Sequence, residues 1–194
     1  MFQLQSVSPS IFDPELVCDP LKLRSPKLRD HREWVRVRNQ SRAHLIRWED
    51  DWTSEDVTIA SFRRRLRLWE RQRRQGAALS LFIFKGEDGP MIGGVTITNI
   101  RYGAARAGTL GYWIDQRMTR KGYGAKAVHE TAAHAFSAMG LRRIEAACQT
   151  ENQASAALLR KVGFQKEGRA RDYLKINGVW RDHDIYSLLA ADMR

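Results

Sequence analysis

Cysteine is scarce in this sequence, which contains only Cys18 and Cys148. The two are too far apart to form a closely spaced redox or zinc motif. None of the histidines is accompanied by cysteines at ligand spacing. His129 and His134 are five positions apart on a predicted helix, so they do not share a face as an i, i+4 metal-binding pair would. We therefore predict two free thiols and no metal.

Long apolar runs are also missing. No stretch approaches the ~20 uncharged apolar residues that a membrane helix needs. Residues 1–20 lack the basic region, apolar run and small-residue cleavage site of a secretory signal. These absences predict a cytoplasmic protein with no membrane contact. With 194 residues, 43% of them hydrophobic, the chain is long enough for one domain with one sizeable core, spanning 1–194.

Positive charge is in excess, with a formal net charge of +11. Much of it lies in residues 63–74, through which Ile59, Phe62, Leu66 and Trp69 repeat at helical spacing. The pattern predicts an amphipathic helix with a basic outer face. That face is either an ordinary solvated surface or a contact surface for RNA, the ribosome or an acidic protein. The sequence leaves both readings open.

The order of apolar patterns predicts an α/β protein around one mixed sheet. Glycines at 140 and 163 close two predicted helices as left-handed caps. Asn177 and Gly178 form the strongest short hairpin signal, since both tolerate positive φ. The predicted elements are a strand at 21–24, helices at 30–48 and from 59, strands at 79–85, 91–100 and 108–115, a helix at 122–140, a strand at 144–148, a helix ending before 163, and strands at 164–176 and 179–189.

A glycine-containing loop joins strand 108–115 to the next helix. Gly122 and Gly124 allow the backbone to approach a ligand, and the helix N-terminus directs free N–H groups and a positive dipole end to the same place. Arg120 and Lys121 add cations suited to phosphate, and Tyr123 can seat its ring beneath the helix. The loop suits a pyrophosphate. Taken alone it is also compatible with a plain tight turn, because it matches neither the Walker nor the dinucleotide pattern.

A second motif follows the next strand. Asn152, Ser155, Leu158, Gly163 and Phe164 have the spacing Asn-x-x-Ser-x-x-Leu-x-x-x-x-Gly-Phe, which resembles the signature of the GNAT superfamily of acetyl-CoA-dependent N-acetyltransferases. The similarity covers nearly the whole chain. The segments most similar to the RimJ/RimL ribosomal-protein N-acetyltransferases are Leu23–Arg24, Arg29–Asp30, residues 39–48 and residues 177–182.

This resemblance implies a GNAT-type mixed, mostly antiparallel sheet flanked by helices, with a splayed strand pair at the acetyl-CoA site. It also implies an oxyanion hole from the main-chain N–H near Ile114. The family loop begins with Gln or Arg where this chain has Thr119, so Arg117 or Arg120 would supply the side-chain phosphate contact. The implied acetyl-CoA contacts are Tyr112, Trp113, Ile114, Arg117, Arg120, Lys121, Gly122, Tyr123, Gly124, Ala125, Asn152 (to the pantetheine arm) and Ser155.

For catalysis, the resemblance implies that Ser155 protonates the departing thiolate. Many family members use a tyrosine on the same helix, but the matching position here is Leu159. Ser155 is the hydroxyl that corresponds to the one RimL-like enzymes are thought to use. The alternative is that Ser155 simply caps its helix.

The general base is not identified by the sequence. RimL-like enzymes have a glutamate where this chain has Leu174, and Asp172 and Tyr173 are nearby alternatives. An acidic cluster follows the first helix, where the family builds its acceptor pocket. The cluster either recognises a cationic amine or serves helix capping around Thr53 and Ser54. Its members are Glu49, Asp50 and Asp51, with Glu55 and Asp56.

The implied activity is acetyl transfer from acetyl-CoA to a primary amine, with the N-terminal α-amine of a ribosomal or other protein as the first hypothesis. An α-amine has an ordinary pKa of roughly 7.7 to 8.0, against ~10.4 for lysine, so it needs only a weak base. This fits the absence of a carboxylate at Leu174. The alternatives are a polyamine or aminoglycoside acceptor, for which the acidic cluster would set specificity, and a non-catalytic acetyl-CoA- or RNA-binding module.

Overall fold

The computed structural model describes residues 9–193, so predictions that fall on residues 1–8 and 194 lie outside it. The described residues form an eight-stranded sheet in the order β1-β2-β3-β4-β5-β6-β8-β7. All neighbours are antiparallel except β5 and β6. The predicted mixed, mostly antiparallel sheet is confirmed. Its strands are β1 (Leu16–Cys18), β2 (Leu21–Arg24), β3 (Leu79–Lys85), β4 (Met91–Arg101), β5 (Ala107–Ile114), β6 (Arg143–Gln149), β7 (Gln165–Ile176) and β8 (Val179–Leu189).

Helices cover both faces of this sheet. Strand β3 shows why. Phe82 and Phe84 belong to the core beneath the helices 31–40 and 59–74, while Leu81 and Ile83 belong to the core beneath the last two helices. Alternate residues of a strand point to opposite faces, so both faces of β3 are apolar. The helices are α1 (His31–Gln40), α2 (Arg42–Leu45), α3 (Ile59–Arg74), α4 (Tyr123–Ser137) and α5 (Gln153–Val162).

The predicted helix 30–48 is wrong in its continuity. It breaks at Ser41 into α1 and α2, and α2 ends at Leu45. Ser41 is fully buried, and its hydroxyl donates to Asp115 Oδ1 (3.1 Å) and accepts from the Gln116 N–H (3.0 Å). These two hydrogen bonds hold the end of α1 against the loop that follows β5.

The ends of the other elements follow local signals closely. Thr58 caps α3 by accepting from the Ser61 N–H, and Gly163 (φ +107°) closes α5 as predicted. Asn177 (φ +49°) and Gly178 (φ +81°) form the predicted turn between β7 and β8. Gly140 is not the cap of α4, since that helix ends at Ser137 and Gly140 lies in the segment that leads to β6.

Within residues 9–193, no helix is both long and apolar enough to cross a bilayer.

Candidate functional site

A wedge opens between β5 and β6, the parallel pair in the sheet. The two strands are paired from Ala107 opposite Arg143 to Leu110 opposite Ala146, and the pairing stops there. Beyond that point Gly111–Ile114 stays paired with β4, and Ala147–Gln149 stays paired with β8. Alternate backbone amides and carbonyls of both strands therefore face the wedge instead of each other. This is the splayed strand pair that the sequence resemblance implied.

The N-terminus of α4 lies at the end of the loop that follows β5. Its hydrogen-bond ladder begins with Lys126 N–H donating to Gly122 O (3.0 Å), so the amides of residues 123–125 precede the ladder. Gly122 (φ +82°) has no side chain to cap them, and a Cβ built there would meet nothing within 4 Å. Uncapped N–H groups at a helix N-terminus bind anions, and phosphates in particular.

Gly124 has a packing role that was not predicted. A Cβ at this position would lie 2.8 Å from Leu158 Cδ1 and 3.3 Å from Ile114 Cγ1. The missing side chain lets α4 pack closely against α5 and β5. Packing alone therefore accounts for a glycine at position 124, and the approach of its backbone to a ligand stays a prediction.

Of the predicted cations, Arg117 is already engaged by a carboxylate. Its Nη2 lies 2.6 Å from Asp115 Oδ2, and its backbone N–H also donates to Asp115. Burial acts to raise the pKa of Asp115, but the hydrogen bonds from Arg117 and Ser41 outweigh it and hold that pKa below its ordinary value. Arg120 and Lys121 are exposed and form no salt bridge within the described residues, so they are better placed than Arg117 to meet a phosphate.

Tyr112 and Ser155 connect the wedge to α5. The Tyr112 Oη and Ser155 Oγ atoms are 2.8 Å apart, and either can donate. Burial raises the pKa of Tyr112 to about 12, so its phenol keeps its proton at neutral pH. Burial also raises the pKa of the Cys148 thiol. The site thus contains a hydrogen-bonded pair of protonated hydroxyl groups, those of Tyr112 and Ser155, at the wedge.

Asn152, and not Ser155, is the N-cap of α5. Its Oδ1 accepts from the Ser155 backbone N–H at 3.0 Å. The capping alternative for the Ser155 hydroxyl is therefore wrong. A contact from Asn152 to a ligand would use its remaining amide group. Leu159 is fully buried in the core.

A cavity of about 370 Å³ lies on the α1–α3 side, next to the wedge. We call it the Trp113 cavity; its lining includes Trp34, Arg38, Glu49, Arg65 and Trp113, together with the backbone of residues 111–113. Glu49 is the one carboxylate among the lining residues. Its Oε1 accepts from Arg38 Nη1 at 2.7 Å. Burial raises the pKa of Glu49, and Arg38 and Arg65 oppose that rise without cancelling it.

The rest of the predicted acidic cluster does not face this cavity. Asp50 Oδ1 accepts from the Asn177 N–H (2.8 Å), and the Asp51 N–H donates to Asn177 Oδ1 (2.7 Å). Asp51 also pairs with Arg42, and Asp56 accepts from the Thr53 N–H and hydroxyl. The expectation of one continuous acceptor patch is therefore wrong. Glu49 lines the Trp113 cavity, while Asp50 and Asp51 anchor the β7–β8 turn.

Sequence reasoning missed two side chains of the site. The Tyr112 hydroxyl was not anticipated, although alternation along β5 places Tyr112 and Ile114 on the face that α5 covers. Arg38 was not singled out either. The base alternatives Asp172 and Tyr173 lie on β7 and do not line the Trp113 cavity. Among residues 9–193, no group of three potential metal ligands comes together.

The chain is similar to known proteins in both sequence and structure. Residues 21–165 match the family described as "Acetyltransferase (GNAT) domain". The chain is 30% identical over 192 residues to the [Ribosomal protein uS5]-alanine N-acetyltransferase of Escherichia coli (strain K12), covering 99% of this chain and 97% of that protein.

Two solved structures are similar to this fold. The ribosomal-protein-S5-alanine acetyltransferase of Vibrio fischeri has a TM-score of 0.85 at 30% identity, covering 94% of this chain and 100% of that one. Mycobacterium smegmatis RimJ in complex with CoA-disulfide has a TM-score of 0.83 at 33% identity, covering 89% and 83%. The match to this family and the similarity to these two structures agree with the splayed strands of the wedge and the uncapped N-terminus of α4.

Proposed function

The chain belongs to the GNAT acetyltransferase family and is an acetyl-CoA-dependent N-acetyltransferase; on that premise we propose that its acceptor is the N-terminal α-amine of a protein, with a ribosomal protein as the first candidate. The observation that carries the proposal is the similarity, over nearly the whole chain, to relatives named for acetylating alanine of ribosomal protein S5. The Trp113 cavity, which β5 lines on the face opposite to α4 and α5, offers a place for the amine. A ribosomal acceptor also places the enzyme in the cytoplasm.

Several features of this chain fit acetyl-CoA. The uncapped amides of residues 123–125 and the open space over Gly122 suit a pyrophosphate. Arg120 and Lys121 supply exposed cations beside it. Acetyl-CoA brings the acetyl group as a reactive thioester. The Asp115 N–H donates to Ile92 O of β4, so the alternate N–H groups of Tyr112 and Ile114 face the wedge. We assign these two N–H groups to the carbonyl groups of acetyl-CoA, with the Ile114 N–H stabilising the oxygen on which charge grows.

We assign Ser155 to the sulfur. Its hydroxyl is backed by Tyr112 and is not consumed by helix capping. A donor held next to the sulfur stabilises negative charge that develops only as the C–S bond breaks, and such a contact lowers the barrier without tightening substrate binding.

The acceptor is tested with a panel of peptides and amines. Peptides carrying the N-termini of ribosomal proteins, the same peptides blocked at the α-amine, spermidine and an aminoglycoside are each incubated with enzyme and acetyl-CoA. Released thiol gives the rate, and fragmentation mass spectrometry locates the acetyl group. We expect turnover of free but not blocked peptides. Turnover of spermidine or the aminoglycoside with no peptide turnover would contradict the proposal.

A small amine is the second candidate. The Trp113 cavity, at about 370 Å³, is within the range of pockets that enclose a small molecule, and it contains one carboxylate for one ammonium group. The same panel separates the two acceptors.

We further propose that α3 contacts ribosomal RNA. Arg63, Arg64, Arg67 and Arg71 are exposed along it and form no salt bridge with another described residue. Binding to a ribosomal RNA fragment should weaken steeply with salt. A gel shift at physiological salt that shows no complex, or one that is unchanged when these four arginines are replaced by glutamine, would refute this contact.

A further inference from the structure

We propose that Glu49 is the general base that removes a proton from the acceptor amine, and that Arg38 is the positioning residue that holds its carboxylate in the Trp113 cavity. The inference rests on the proposed function, because it concerns the amine that occupies this cavity. It assigns the proton acceptor that the sequence left without a candidate.

The position of Glu49 provides the first argument. It follows α2 and lines the same cavity as residues 111–113 of β5, the strand that forms one side of the wedge. An amine entering from the α1–α3 side would meet this carboxylate beside that strand. Three other carboxylates of the cluster have partners elsewhere: Asp50 accepts from the Asn177 N–H, Asp51 from the Trp52 N–H and Arg42, and Asp56 from Thr53. Glu55 does not line the cavity.

Arg38 explains why the carboxylate is held in place. Its guanidinium lies 4.1 Å from the Trp52 ring centroid and 5.5 Å from that of Trp113, and its Nη1 donates to Glu49 Oε1. This stacking restricts the arginine to one position. Within the described residues, Glu49 Oε2 has no hydrogen-bond partner, so one oxygen is fixed and the other can accept a proton.

The charges around Glu49 suit a base. Arg38 from α1 and Arg65 from α3 both stabilise its ionised form, whereas burial and the adjacent Asp50 oppose it. Burial prevails, so the pKa is raised above its ordinary value. A raised pKa brings a carboxylate closer to the pKa of the amine that it must deprotonate.

The step balances without a further reactant. Glu49 takes one proton from the acceptor ammonium and later releases it to solvent. The nitrogen then forms the new C–N bond while the C–S bond breaks. The second proton leaves the nitrogen for solvent as the amide forms. Ser155 gives its hydroxyl proton to the sulfur and takes a proton back from solvent. One ammonium and one thioester thus give one amide, one thiol and one proton.

The test compares Glu49→Gln with Glu70→Gln, which removes the charge of an exposed glutamate paired with Arg74 on α3. We expect Glu49→Gln to lower kcat/KM for the acceptor by on the order of 10², with the acid limb of the pH profile abolished and the KM for acetyl-CoA unchanged. Glu70→Gln should match wild type. Glu49→Asp should retain the acid limb at a reduced rate.

A series of acceptors whose amine pKa is lowered by fluorination of the first residue separates a base from a structural role. The deficit of Glu49→Gln should shrink as the amine pKa falls, because a less basic amine arrives already deprotonated. Arg38→Gln should shift the acid limb to higher pH, since a cation that stabilises ionised Glu49 is lost. A deficit independent of amine pKa, or an unchanged acid limb in Glu49→Gln, would overturn the proposal.

Failure of this inference is distinguishable from failure of the proposed function. If wild type acetylates only small amines, the peptide acceptor is wrong, and the same variants are measured with the amine that is turned over. If no acceptor in the panel reacts, a ¹³C NMR titration of Glu49 in the acetyl-CoA complex decides. A pKa at or below the ordinary glutamate value refutes Glu49 as the base, and a raised pKa that shifts further upward in Arg38→Gln supports both assignments.

Discussion

The hydroxyl oxygens of Tyr112 and Ser155 lie 2.8 Å apart and join β5 to the first turn of α5 at the edge of the wedge. The two residues come from segments that diverge in space, one along the strand and one along the helix. Their contact places a protonated phenol directly behind the serine that we assign to the leaving sulfur.

We expect Ser155→Ala to lower kcat by on the order of 10² and to leave the KM for acetyl-CoA nearly unchanged, because the hydroxyl acts on charge that appears only in the transition state. Tyr112→Phe should lower kcat less. Steady-state kinetics of both single variants and the double variant measure the coupling, and effects that simply add would show that the pair does not act together.

The stability of the same helix supplies the control. Because Asn152 is the cap, Asn152→Ala should lower the free energy of unfolding by about 1 kcal/mol, with or without Tyr112→Phe. Ser155→Ala loses the hydrogen bond to the buried Tyr112 hydroxyl, so its cost should fall when Tyr112→Phe is also present. Chemical denaturation measures both variants in both backgrounds. A Ser155→Ala cost that Tyr112→Phe does not change would return the capping role to Ser155.

The phosphate site is tested at Gly122. Gly122→Val places a branched side chain in the open space over the α4 N-terminus and should raise the KM for acetyl-CoA about tenfold or more. Gly86→Val is the matched control, since Gly86 has a similar φ (+84° against +82°) and equally open surroundings. Both variants bear the same kind of backbone strain. Equal KM values in the two would remove Gly122 from the cofactor site.

The β7–β8 turn is tested at Asn177, whose side chain and backbone bond to residues 46, 49, 50 and 51. Asn177→Ala should lower the free energy of unfolding by about 2 kcal/mol, since it combines loss of hydrogen bonds with a side chain less tolerant of positive φ. Asn99→Ala shares the φ of +49° and should cost less. Thermal unfolding of the two variants isolates the hydrogen-bond contribution; equal losses would show that the turn contacts contribute nothing.

A pH-dependent contribution to stability comes from Glu167. Hydrogen bonds from Arg143 and Ser187 lower its pKa to about 2 from an ordinary 4.5. A lowered folded-state pKa stabilises the protein above the unfolded pKa, and that contribution disappears as the pH falls toward the folded value. Because Glu167 is half-exposed, we expect less than about 1 kcal/mol. The difference in melting temperature between wild type and Glu167→Gln should narrow from pH 6 to pH 2; a constant difference would contradict this.

Elements with local signals were predictable from the sequence. Gly163 and the Asn177–Gly178 turn were identified because glycine and asparagine are the residue types that most readily adopt the positive φ found there. A compact apolar run located β3, and the Asn177–Gly178 turn located β8, at the bounds that the structure shows. The three-residue strand β1 was missed, since Leu16–Cys18 is too short to show a period.

Features set by distant contacts were not predictable. The break at Ser41 depends on Asp115, and the division of the acidic cluster depends on Asn177. The sequence around Ser41 does not point to Asp115, and the sequence around the acidic cluster does not point to Asn177. Gly124 shows the same limit, because its role is set by Leu158 on another helix. The glycine itself was evident in the sequence, but the reason for it was not.

The wedge between β5 and β6 has an evolutionary consequence. Its hydrogen-bonding groups belong to the main chain, so no single side-chain replacement that preserves the strands can delete them. A lineage can therefore exchange many residues around the thioester while its chemistry survives. In our proposal, acceptor preference depends instead on the side chains of the Trp113 cavity on the other face. Replacements there would change the acceptor without removing the main-chain groups of the wedge.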